Sequence, residues 1–379
     1  MRKIKSKFPV FWLLIIMLSL NACALPARSD PESSNALPSH KAAETALGRQ
    51  LAERIQGHPC CSGIYPLVNP TAAFAARGLL ADAAERKLDI QYYIWQKDTT
   101  GLLLFNTVYS AAERGVRVRL LLDDFGVSGL DDELAALDIH PNIEVRLFNP
   151  FIIRNPKLIG FVTQFPQANR RMHNKSFTVD DQVTIIGGRN IGDEYFGAAQ
   201  EMLFSDLDVI AVGAIVNKVS TDFDRYWVSD SVYPVSLILP SPEGIQQQEI
   251  MEGITSAPQR DGVYTYIEAL RQSDVVRNML EGTLPLEWAE SRMISDDPAK
   301  GLGQAEQDAL LVSQMSEILG NPGTNLELVS PYFVPTEAGT EAFVKLAEQG
   351  VNIRILTNSM EATDVAAVHA GIVNVEKIY

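Results

Sequence analysis

Two stretches far apart in this chain repeat one pattern: an apolar strand-like run, a helical stretch, then a glycine-led second run. LDIQYYIW at Leu88–Trp95 corresponds to LELVSPYF at Leu326–Phe333, and GVRVRLLL at Gly115–Leu122 corresponds to GVNIRILT at Gly350–Thr357. From Leu88 to Gly115 is 27 residues, and from Leu326 to Gly350 is 24. Self-similarity of this kind marks one supersecondary unit used twice. A strand, a crossover helix and a second strand make a βαβ unit, so an α/β fold is expected, with helices flanking a mostly parallel central sheet. Hydrophobic spacing adds helices over 40–56, 71–87 and 102–114, and strands over 88–95, 116–122 and 143–148.

Between the two copies lies a cluster of reactive side chains. The segment Arg171–Gly188 reads as two β-branched runs joined by a polar Asp180-Asp181-Gln182 turn, a hairpin signature. Side chains alternate along a strand, so His173 and Lys175 share a face, roughly 7 Å apart along the backbone. The returning strand brings Gly187, Gly188 and Asn190 beside the start of the first, where amide donors could hold an anion. An imidazole can attack phosphorus. A fixed cation and neutral donors beside it would stabilise the charge that builds on the non-bridging oxygens of the five-coordinate transition state.

His173, Lys175, Asp180, Gly187 and Asn190 stand in register with HxKxxxxD(x6)GSxN, and the chain resembles the phospholipase D superfamily that carries this signature. Gly188 departs from it, standing where the pattern has Ser; a backbone N–H is expected to serve there. The resemblance implies a duplicated phospholipase-D-like sandwich in which His173, Lys175, Asp180 and Glu201 are catalytic. Glu201, the carboxylate downstream of the Asn, would accept the Nδ1 proton and fix the tautomer. Lys175, Gly188 and Asn190 would hold the substrate phosphate. Lys175 supplies the positive charge, so no metal and no cofactor are expected; the pairs Asp123/Asp124 and Asp206/Asp208 read as turn and strand-end residues.

The blocks SGIYPL, LDIQYYIW, GVRVRLLLDD, HPNIEVRLFNP and GGRNIGDEYF look most like exported bacterial cardiolipin synthases. The implied reaction is phosphatidyl transfer from a lipid such as phosphatidylglycerol through a phosphohistidine. The superfamily draws the general acid for the leaving alkoxide from the histidine of a second motif. His173 follows Gly115 by 58 residues, so its counterpart would fall near or beyond position 400, and the sequence stops at Tyr379. His369 is not followed by Lys two residues on. The second lobe is therefore expected to be incomplete, and loss of the acid would cost about 10² to 10⁴ in rate. Three readings stay open: a lipid-anchored phosphatidyltransferase, a phosphodiesterase or nuclease pairing two chains as a homodimer, and an inactive remnant.

Charge bears on partners: 32 Lys and Arg against 47 Asp and Glu give a net −15, with no basic run beyond the first seven residues. No nucleic-acid partner is expected from such a chain, although an acidic whole can hide one basic cleft. Arg2, Lys3, Lys5 and Lys7, followed by an apolar run from Phe8 to Leu20, read as an export signal. Leu20-Asn21-Ala22-Cys23 resembles a bacterial lipobox, with Cys23 as the lipidation site and the cell envelope as the destination. Cys60 and Cys61 are adjacent and pair only with strain. The expected divisions are a signal peptide over 1–22, a stalk over 23–40, a first lobe over 41–240, a helical connector over 241–323 and the start of a second lobe over 324–379.

Overall fold

The computed structural model describes residues 25–28, 36–154, 170–199, 203–260, 263, 266–268, 273–333, 335 and 337–359. The chain divides into two compact units, Met1–Glu306 and Gln307–Tyr379.

Nine strands of the first unit form one sheet: β1 (Ser62–Leu67), β2 (Lys87–Ile94), β3 (Arg117–Gly126), β4 (Ile143–Phe148), β5 (Ser176–Val179), β6 (Val183–Gly187), β7 (Asp208–Gly213), β8 (Val232–Pro234) and β9 (Glu287–Ala289). Their order is β8-β4-β3-β2-β5-β6-β7-β1-β9. The α/β class holds, but the sheet is not mostly parallel. Only β2 with β3 and β3 with β4 run parallel; the other pairings are antiparallel. Connection length explains the split. The helices Thr99–Glu113 and Asp131–Asp138 carry the chain back across the sheet between parallel neighbours, whereas three residues join β5 to β6 and permit only a hairpin.

Local chemistry sets the helix starts. Asn69 accepts the Ala72 N–H before the helix Pro70–Ala83, which has proline in its first turn, and Asp98 accepts the Gly101 N–H before Thr99–Glu113. Both helices pack their buried alanines and leucines into the main core. Alternation along β3 separates two faces. Val118, Leu120 and Leu122 join that core, while Leu121 meets Phe223 and Trp227 of the helix Ala214–Trp227. The sheet is thus a middle layer.

The segment expected to be a connector is partly built into this unit. Ile254, at the end of the helix Gly244–Thr255, and Leu284 belong to the main core, and β9 extends the sheet beside β1. The described parts of the expected stalk also make contacts: the amides of Ala36 and Leu37 donate to Asp224 and Asp181 at 2.9 and 2.6 Å. The expected signal segment and Cys23 lie outside the described residues, as does His369.

The second unit contains the later copy of the repeat. β10 (Asn325–Val329) and β11 (Asn352–Leu356) pair in parallel, with the helix Glu337–Glu348 between them in sequence.

Candidate active site

The run His173–Lys175 is the lead-in to β5, which begins at Ser176; it is not itself in the strand ladder. Asp123, at the end of β3, fixes this lead-in by accepting the Met172 amide at 2.7 Å and the Arg171 guanidinium at 3.0 Å. Arg171 also donates to the Asn149 carbonyl and lies over the Phe151 ring. Burial pushes the Asp123 carboxyl up to about 7, against the pull of Arg171 and two amides. The residues just before the reactive triplet are therefore locked, while His173 itself faces outward.

His173 reaches solvent, with its ring 4.1 Å from that of Tyr93 at an interplanar angle of 34°. The surrounding protein displaces water from it, and Lys175 and Lys300 add positive potential; together they hold the imidazole down at about 4. A hydrogen bond from the ring to the main chain of Arg171 opposes that shift. The ring is thus neutral at pH 7, with a lone pair able to attack. Lys175 converges on the same tyrosine, its Nζ 5.8 Å from the Tyr93 ring centroid and donating to the His173 carbonyl at 2.8 Å. Burial lowers its pKa, while Asp206 and Asp208 favour the charged form.

Asp180 is elsewhere. It sits with Asp181 in the β5–β6 turn, both at positive φ of 51° and 52°, which Asp tolerates better than most residues. Its carboxylate accepts the amides of Glu85, Arg86 and Lys87 at 3.0, 2.8 and 2.8 Å. Roughly 17 Å of strand separates it from Lys175 at strand rise. Asp180 therefore ties the hairpin to the start of β2 and does not meet His173.

The two expected phosphate donors are also engaged. The Gly188 N–H donates to the Leu207 carbonyl at 3.0 Å, so it does not serve in place of the missing hydroxyl. A Cβ at Gly188 would stand 1.9 Å from the Asp206 carboxylate, so a side chain there would require Asp206 to turn away. Asn190 accepts the Ile94 amide at 3.1 Å and donates to the Tyr195 hydroxyl at 3.0 Å. It fixes the end of β2 at Ile94, the residue next to Tyr93. Glu201 lies outside the described residues.

Tyr93 packs on His173, Asp206 acts on the charge of Lys175 and Lys300 on that of His173, and motif spacing points to none of the three. Tyr93 lies in the repeated block LDIQYYIW, but nothing in that block marks which tyrosine meets the histidine. In the sequence Asp206 reads only as half of the Asp206/Asp208 pair, and Lys300 falls in the expected connector.

Comparison with known proteins follows the same lines. Residues 80–227 match the family described as cardiolipin synthase, PLD-like domain. The chain is 51% identical over 315 residues to cardiolipin synthase C of Escherichia coli, an alignment covering 83% of this chain and 66% of that protein. It is 30% identical over 367 residues to an uncharacterized protein of Helicobacter pylori, covering 95% of this chain and 72% of that one. Among solved structures, phosphatidylserine synthase of Haemophilus influenzae aligns with 81% of this chain and 66% of its own, at 15% identity and a TM-score of 0.49.

Proposed function

The chain belongs to the phospholipase D superfamily, among its cardiolipin-synthase-like members, and from that premise we propose that it carries phosphatidyl transfer through a phosphohistidine at His173. The substrate we assign is phosphatidylglycerol and the product cardiolipin. The observation that carries the reading is a neutral imidazole beside a half-buried ammonium, both packed against one tyrosine.

In the first step a ring nitrogen of His173 attacks the phosphodiester phosphorus. A P–N bond forms, the P–O bond to the head group breaks, and the leaving glycerol alkoxide takes up a proton from water, to which the second step returns one. In the second step a hydroxyl of another phosphatidylglycerol attacks the same phosphorus, gives up its proton, and releases neutral His173. Tyr93 packs against the ring and limits its rotation, which preserves the in-line approach. Lys175 offsets the negative charge that builds on the phosphoryl oxygens. Cys23, as a lipidated residue, would hold the enzyme at the periplasmic face of a bacterial membrane, where both substrates reside.

The test is cardiolipin formation in membranes that lack other synthases, comparing the chain with His173→Ala. Product from the parent and none from the variant supports the assignment. Equal product from both removes it.

A further inference from the structure

We propose that Lys300 is an anion-binding residue of the His173 site, delivered by a strap of residues 295–303 that docks beside the catalytic triplet. The proposal rests on the phosphohistidine reading and adds the residue that completes the phosphoryl-binding charge.

The strap is held by side chains that also reach the triplet. Asn174, next to His173, approaches Asp222 at 3.5 Å, and the same Asp222 accepts the Ser295 hydroxyl at 2.6 Å. Arg225 donates to Asp222, to Ser295 and to the Asp296 carbonyl, and the Tyr226 hydroxyl donates to that carbonyl at 2.8 Å. Further along, Ser231 donates to the Pro298 carbonyl at 2.8 Å. At Gly301 a Cβ would stand 2.7 Å from the Ser231 hydroxyl and 2.9 Å from the Phe148 ring, so the backbone packs too closely for any other residue. Lys300 rides on this clamped turn, Pro298–Leu302, one residue before that close approach.

Its ammonium is paired with Asp296 four residues earlier, and both side chains keep partial access to solvent, 24% and 18%. The charges of this pair reach His173 with opposite signs, Lys300 disfavouring and Asp296 favouring the protonated ring. An anion bonded to His173 or approaching it would enter a field to which both Lys175 and Lys300 contribute. Asp296 then acts as a resting counter-ion, holding the lysine in place until a phosphoryl group takes over part of its charge. In a chain of net charge −15, such a local pair of cations is what lets an anionic substrate approach.

The experiment titrates inorganic phosphate into the full chain, following the His173 ring by NMR and reading both phosphate affinity and the ring pKa. Lys300→Gln should weaken phosphate about tenfold, the scale of one charge-assisted hydrogen bond, and raise the His173 pKa. Lys300→Arg should keep the affinity. Asp296→Asn should move both readouts the other way, tightening phosphate and lowering the ring pKa. If the pair only anchors the strap, Lys300→Gln and Asp296→Asn will weaken phosphate alike, which overturns the proposal; so does unchanged affinity in Lys300→Gln. Should Lys300→Gln fail to fold, the opposed behaviour of Lys300→Arg and Asp296→Asn still decides. Phosphatidyl transfer assayed in parallel separates the claims, since phosphate binding that depends on Lys300 without any lipid product would discard the substrate assignment alone.

Discussion

Asp89 faces Arg119 across β2 and β3, and Glu327 faces Arg354 across β10 and β11, at matching positions of the two copies of the repeat. The registers correspond: Leu88 pairs with Val118 in one copy and Leu326 with Ile353 in the other. Both helices end at a left-handed glycine, Gly115 at φ +90° and Gly350 at φ +88°, followed by an amide that reaches back to the helix, Val116 to Ala111 and Val351 to Leu346. The local plan is the same. The surroundings are not: Asp89 and Arg119 are fully buried, while Glu327 and Arg354 are 60% and 70% exposed. In the first copy β4 and β5 flank the strand pair, and the helix Ala214–Trp227 covers it. Burial then demands further partners: Lys87 bonds Asp89 and Asp181, and Arg119 reaches Asp224. A cross-strand ion pair can thus be a surface ornament in one setting and the centre of a buried network in another, with no change in backbone design.

The largest test of that contrast removes the two arginines. Arg119→Met takes one of two cations from the buried Asp89 carboxylate and should cost about 3–5 kcal/mol, whereas Arg354→Met should cost at most about 1 kcal/mol. Urea unfolding of the first unit and amide exchange in β11 measure the two, and equal losses would break the comparison. Next in size are Leu120→Ala and Ile355→Ala, at equivalent positions. Leu120 is fully buried and should lose about 2–5 kcal/mol; Ile355, 38% exposed, should lose much less.

Acidification sharpens the contrast again. Burial opposes the charge of Asp89, but Lys87 and Arg119 outweigh it and hold the carboxyl below its ordinary range. A depressed folded-state pKa contributes stability above the unfolded value, about 3.9, and loses it as pH falls toward the folded value. Unfolding midpoints between pH 5 and 2 should therefore fall, and Asp89→Asn should flatten part of that fall. The smallest effect should be shared: Gly115→Ala and Gly350→Ala each meet open space, so both should cost only the left-handed strain, about 1 kcal/mol. Unequal costs would mean that the two helix ends differ after all.

These pairs also mark what the sequence makes legible. The repeat, the β5–β6 hairpin and most strand positions follow from periodicity and turn chemistry, which act over a few residues. Sheet direction did not, because β1 and β7–β9 join by contacts between segments far apart in the chain. For the same reason spacing places His173 beside Lys175 but does not show that Asp180 turns to the start of β2. Its three amide partners, Glu85 to Lys87, lie more than 90 positions upstream. Asn190 and Gly188 fail similarly, since their partners belong to β2 and the 203–208 segment. Tyr93 meets the His173 ring through strand order, which a linear motif does not encode.

The central claim is that phosphorus becomes bonded to His173. The direct measurement incubates the chain with phosphatidylglycerol labelled at phosphorus, quenches in alkali, and maps any base-stable, acid-labile phosphoramidate by peptide analysis. The account predicts label on the peptide containing His173, absent in His173→Ala and diminished in Lys175→Ala. Label on another residue, or cardiolipin formed undiminished by His173→Ala, would contradict it.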